Sequence, residues 1–135
     1  MANLTITAAS VGIASGTADV RAVQVGESVT HGQPLYFSAN KYYKCDATSA
    51  TKANCGVISL GTASTDGWVL ALFPGGEYIV GATLTVGMTY VISATSGAIA
   101  PIGDLASTNF PTILGTAKTT TTLRFNPDPS GVAKP

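Results

Sequence analysis

The chain has 135 residues, a formal net charge of zero and only 10% charged residues, where an ordinary soluble domain carries about 25%. That length suits one domain, which buries about two-thirds of its unfolded surface without metals or multiple staples. Its seven Lys and Arg form no basic run, which argues against a nucleic-acid surface; no apolar run reaches the ~18–20 residues of a membrane-spanning helix, and the N-terminus lacks the basic start and apolar core of a signal peptide.

Leu4 and Ile6 alternate with Asn3, Thr5 and Thr7, a short strand pattern. The rest of residues 1–19 is small and polar, with too little apolar bulk to anchor itself. It reads as an extended N-terminal arm, ordered only by a partner or a groove. Arg21–Val25 alternates and predicts the first strand of the body. Strands follow at Leu35–Phe37, Tyr42–Cys45, Gly56–Leu60 and Trp68–Phe73, with turns at Asn40-Lys41 and Asp66-Gly67 between them. A polar variable loop occupies 46–54. Pro74-Gly75-Gly76 closes this half.

A second half repeats the order. Val25-Gly26-Glu27-Ser28-Val29-Thr30-His31-Gly32 returns as Val80-Gly81-Ala82-Thr83-Leu84-Thr85-Val86-Gly87, both reading V-G-x-x-(apolar)-T-x-G at an offset of 55. Leu60-Gly61-Thr62-Ala63 returns as Leu114-Gly115-Thr116-Ala117 at an offset of 54. Strands are predicted at Tyr78–Val80, Tyr90–Ile92, Ala98–Pro101, Ile113-Leu114 and Leu123–Phe125. Laying Leu123-Arg124-Phe125 on Leu70-Ala71-Leu72 turns Leu70, Leu72, Leu123 and Phe125 inward and Ala71 and Arg124 outward. No stretch has the apolar spacing of an amphipathic helix. The expected fold is all-β: a compact sandwich or barrel of residues 20–127, built from pseudo-repeated halves 25–74 and 80–127. Residues 128–135 form a proline-rich tail expected to be mobile or partner-bound.

Nothing in the sequence points to catalysis. His31 lies in a glycine-flanked turn, and Val86 holds its place in the second copy. Seven carboxylates (Asp19, Glu27, Asp46, Asp66, Glu77, Asp104, Asp128) are scattered singly, mostly where Asp serves a turn. No nucleophile-elbow, Walker-type or dinucleotide glycine pattern is present. Two cysteines and one distant His make no metal set. The expectation is no enzyme, no cofactor and no metal. Cys45 and Cys55 flank the 46–54 loop; a disulfide between them and two free thiols stand as alternatives. The strand aromatics Tyr36, Phe37, Tyr42, Tyr43, Trp68 and Phe73 suit core or interface packing better than a ligand site.

The order V-x-x-G-x-x-V-x-x-G-Q-x-L-Y over Val23–Tyr36, a polar loop, then G-V-x-x-L-G-x-A over Gly56–Ala63, continues in the second half with Gly81, Thr83-Leu84, Gly87, Tyr90-Val91, Ser93, Gly97, Ile99, Pro101 and Ile113–Ala117. Over roughly residues 20–125 this resembles the small head-decoration, or capsid cement, proteins of tailed bacteriophages. The resemblance implies a β-rich protein assembled in the host cytoplasm and bound in many copies to the outside of the expanded head. Its partners would be the major capsid protein and itself, as a homotrimer or a dimer. An arm lying on the shell makes Leu4, Ile6, Val11 and Ile13 the candidate capsid contacts. Two alternatives accompany it. One is a tail-fibre or receptor-binding module. The other is a carrier domain, because G-x-x-V-x-x-G-Q-x-L is also similar to the half-motif of biotinyl and lipoyl domains. Those need a lysine between their halves, and Phe73–Tyr78 has none.

Overall fold

Glycine, proline and asparagine punctuation cuts the chain into short extended segments, and antiparallel pairing joins them into a β-sandwich. The computed structural model describes residues 3–14, 19–132 and 134. The strands are β1 (Gly12–Ile13), β2 (Val20–Gln24), β3 (Pro34–Ser38), β4 (Lys41–Lys44), β5 (Cys55–Ser59), β6 (Trp68–Leu72), β7 (Glu77–Ile79), β8 (Thr89–Ile92), β9 (Ile99–Pro101), β10 (Thr112–Thr116), β11 (Thr122–Arg124) and β12 (Asp128–Pro129). They form three sheets ordered β2-β6-β5-β3-β4, β12-β10-β8-β9 and β1-β7-β11. The helical content among the described residues is two single 3-10 turns, Ala8–Ser10 and Ile102–Asp104.

The five-stranded sheet curls until its outer strands meet. Val25, just past β2, bridges Tyr42 of β4, and the Gly26 N–H donates to the Tyr42 carbonyl at 2.9 Å. The curl encloses Val23, Val25, Val29, Leu35, Val57, Val69 and Ala71 in a small core of their own. Side chains alternate along a strand, so the next residues, Ile58 and Leu72, emerge on the opposite face. There they join the larger core of the second half, with Tyr78, Tyr90, Ile92, Leu114, Leu123 and Phe125. Burial on both faces explains why Val57-Ile58 and Ala71-Leu72 are apolar without alternation.

Strands in corresponding places of the two halves have corresponding neighbours. β3 pairs with β4 and β5, and β8 with β9 and β10. β2 pairs with β6 as β7 pairs with β11. In the second half the sheet is split, and the Ala117–Leu123 bridge spans the split. Gly26 and Gly81, at the same point of the repeated motif, are glycine for close approach. A Cβ on Gly26 would sit 2.3 Å from the Tyr43 ring, and one on Gly81 2.7 Å from the Thr7 carbonyl oxygen.

Three expectations change. The faces of β6 are reversed over part of its length: Leu70 is exposed and Ala71 fully buried. The 46–54 loop is no free excursion. Cys45, Asp46, Ala47, Ala53 and Cys55 are buried, and the loop fastens the halves together. The Ala47 N–H donates to the Ser93 carbonyl (2.9 Å), the Phe110 N–H to the Ala47 carbonyl (2.7 Å) and the Gly97 N–H to the Cys45 carbonyl (2.8 Å). The Thr112 hydroxyl donates to the Ala53 carbonyl. Finally, the tail is not free. β12 pairs with β10, and Lys134 exchanges backbone hydrogen bonds with the 108–109 turn. Pro129 is tolerated because β12 lies at a sheet edge.

For the arm, the groove is the chain's own second half. The Leu4 N–H donates to the Ile99 carbonyl and the Thr7 N–H to the Gly81 carbonyl, each at 2.8 Å. Gly12 and Ile13 pair with Ile79 and Tyr78.

Candidate interaction surface

The register of β2 with β6 sets what their outer face displays. Ala22 stands opposite Leu70 and Gln24 opposite Trp68. Trp68 and Leu70 project from the same face as Leu72. Leu72 and its partner Val20 reach the larger core, Leu72 fully buried and Val20 half-buried against it. One and two steps along β6 the cover ends: Leu70 is 55% and Trp68 66% exposed. Half-buried Leu60 flanks them on the β5 side, its N–H donating to the Leu70 carbonyl at 2.8 Å. Ala22, Gln24, Leu60, Trp68 and Leu70 contain no ionisable group.

The same register places the counterparts in the second half. Ile79 stands opposite Thr122, Tyr78 opposite Leu123, and Glu77 opposite Arg124. The repeat offset of 55 equates Gln24 with Ile79. Thr122 therefore stands where Trp68 does, Arg124 where Leu70 does, and Glu77 where Ala22 does. That surface is charged: Arg124 Nε lies 3.4 Å and Lys118 Nζ 3.2 Å from Glu77 Oε2. One fold position is thus solvated and ion-paired in one half, apolar and uncovered in the other. A lone exposed Leu needs no explanation, but Leu70 beside an exposed tryptophan makes this face the candidate contact surface.

The candidate arm residues do not form one outward surface. Leu4, Ile6 and Val11 are half-buried against the larger core. Ile13, at the edge strand β1, is 46% exposed. The outward side of the arm carries Thr5, Thr7, Ser10 and Ile13. Thr5, Thr7 and Ser10 line a shallow hydroxyl-rich depression with Thr83 and Thr121.

Cys45 and Cys55 are both free and buried thiols. Burial, and then the Cys55 thiol beside it, push the Cys45 thiol far above its ordinary range, so it stays protonated and poorly nucleophilic. His31 Nδ1 lies 3.3 Å from the Thr62 hydroxyl in the turn the sequence assigns it. Five carboxylates sit in separate local pairs: Asp19 with Arg21, Asp66 with Lys41, Glu77 with Lys118 and Arg124, Glu27 with Lys44, Asp46 with Lys52. Among the described residues no three of His, Cys, Asp and Glu group to hold a metal, and no helix is long and apolar enough to cross a membrane.

Of the strand aromatics, Tyr36 packs near Tyr43 (centroids 5.8 Å) and Phe37 near Tyr42 (5.1 Å). Arg21 stacks on Phe73 at 4.8 Å. Reading the sequence alone turns Leu70 inward and so misses the Trp68–Leu70 face. The signal was present: the 54-residue offset of the L-G-T-A segment, carried on to β11, sets Arg124 against Leu70 and Leu123 against Val69. Comparison of the chain with protein-family models, curated proteins and solved structures finds no match.

Proposed function

We propose that the chain is a structural protein of a tailed-phage virion, decorating the outside of the expanded head and bridging major capsid subunits. The observation that carries its assembly role is the uncharged face around Trp68 and Leu70, set where the other half bears an ion-paired surface. The assignment to a phage head rests on the resemblance of the glycine–hydrophobic order over residues 20–125. A neutral, charge-poor surface suits a protein largely covered by neighbours, because interface cores are depleted in charge.

The mechanism is mass action. A ligand that binds only the intact lattice stabilises it, and many copies act in parallel, so each contact needs only modest affinity. In this reading the arm supplies the capsid contact. Leu4, Ile6 and Val11 hold it to the β body, leaving Ile13, Thr5 and Thr7 turned outward. The test is to mix the full chain with expanded empty heads of the phage that carries it, and to image them by electron microscopy. Stoichiometric density on the outer shell supports decoration. A bare shell overturns it, and density at the tail of whole virions transfers the chain to the fibre or receptor-binding class.

A further inference from the structure

We infer that the Trp68–Leu70 face is the surface on which a second copy of this chain docks. The inference deepens the assembly reading above but does not depend on the phage head.

Three observations select the occupant. First, a two-fold contact brings a patch against itself, so any charge on it meets a like charge near the axis. Ala22, Gln24, Leu60, Trp68 and Leu70 carry none, and the chain's net charge is zero, so copies do not repel at long range. Second, the face continues an interface the chain already makes. Leu72, one turn of the pleat from Leu70, is buried among Tyr78, Phe125 and Leu123 of the second half. The sheet face that joins two halves within a chain runs on, uncovered, to Leu70 and Trp68. Third, the equivalent face of the second half is unfit to receive it. Docking Trp68 there would strip water from Glu77, Lys118 and Arg124 without offering them partners, which is costly. Head-to-tail stacking of halves is thereby disfavoured, leaving closed pairing of first half with first half.

Trp68 has the properties of an interface anchor: a large rigid side chain, two-thirds exposed, at the end of an uncharged face. As the chain's only tryptophan it also reports on that patch. The second half supplies the variant: Trp68→Thr with Leu70→Arg installs the residues that Thr122 and Arg124 place at the same positions of the same fold. Phe37→Thr, which removes an exposed aromatic elsewhere, controls for general stickiness.

Sedimentation equilibrium and tryptophan emission are followed from micromolar to millimolar protein. The full chain is expected to move from 13.6 kDa to twice that mass, with a blue shift of Trp68 emission over the same range. Phe37→Thr keeps this behaviour. Trp68→Thr/Leu70→Arg weakens association by roughly 30-fold or more, the loss expected of a hot-spot residue. Its urea midpoint at micromolar protein stays that of the parent, and Leu70→Arg alone weakens association if the double variant is unfolded. A parent monomeric throughout, or variants that associate like the parent, overturn the inference. A dimer that leaves empty heads bare overturns the decoration reading instead, and a monomer that coats them overturns only the self-contact.

Discussion

Leu70 and Arg124 hold the same register position in the two halves. Leu70 faces Ala22 on β2, and Arg124 faces Glu77 on β7. The scaffold plainly accepts a cation there. Leu70→Arg should therefore change the unfolding free energy of the monomer by no more than about 0.5 kcal/mol. Ala71→Arg, one residue on, puts an unpaired charge among Val23, Val57 and Val69 and should cost about 4 kcal/mol or more. Urea midpoints at micromolar protein separate the two. The opposite ranking would restore the inward Leu70 that the sequence alone suggests.

Tyr78 is fully buried, its ring edge-on to Phe125 with centroids 6.3 Å apart, and its hydroxyl has no hydrogen-bond partner among the described residues. An unsatisfied buried hydroxyl destabilises by about 1–3 kcal/mol. Tyr78→Phe keeps the ring and removes that penalty. It should leave the protein as stable as the parent, or more stable by about 1 kcal/mol, read from thermal or urea unfolding. A clear loss of stability would mean that the hydroxyl has a partner.

Gly81 and Gly87 both have positive φ, +84° and +82°, and differ only in surroundings. A methyl on Gly87 meets nothing within 4 Å, whereas on Gly81 it meets the Thr7 carbonyl oxygen at 2.7 Å and Val11 Cγ2 at 2.9 Å. Gly87→Ala should cost about 1–2 kcal/mol, the backbone term alone. Gly81→Ala adds the overlap, roughly 2–5 kcal/mol in all, and should lift the arm. Limited proteolysis within residues 3–14 should then accelerate for Gly81→Ala and not for Gly87→Ala.

Alkaline pH should weaken the fold. Burial raises Cys45 above its ordinary value of 9.0 and Tyr78 above 10.0. Above those ordinary values the unfolded chain loses protons that the folded chain keeps, so stability falls as pH rises. The slope reaches about 1.4 kcal/mol per pH unit for each group. Urea midpoints should be flat with respect to these groups below pH 9 and fall above it. Tyr78→Phe should reduce the part that begins near pH 10, which burial of Tyr36 and Tyr42 shares, and Cys45→Ala should remove the part that begins near pH 9.

Strand positions were legible because their ends are chemical. Glycines at 26, 32, 81 and 87, Asn40, Gly67 and Pro74 interrupt the backbone wherever the apolar alternation breaks. The faces of β6 were not legible, because Ala71 and Leu72 are buried by two different cores and no alternation survives between them. The docking of the arm and of β12 escaped for another reason. Gly12 finds Ile79 and Asp128 finds Ile113 through backbone pairing, which leaves little trace in side-chain pattern. The Cys45–Cys55 loop looked variable because its residues are small and polar. Its role rests on carbonyls and amides, which every residue has. The Trp68–Leu70 face became visible only once register equated it with Thr122 and Arg124.

The hydrogen bond from the Leu4 amide to the Ile99 carbonyl joins two segments about 95 residues apart in the chain. Leu4, Ile6 and Val11 must wait for β7 and β9 before they have a surface to cover. Non-local pairing of this kind slows folding. A chain that lacks β7 and β9 therefore leaves Leu4, Ile6 and Val11 exposed. Chains stopped before Ile99 should be sticky and protease-sensitive, while chains that include β7 and β9 keep Leu4, Ile6 and Val11 covered.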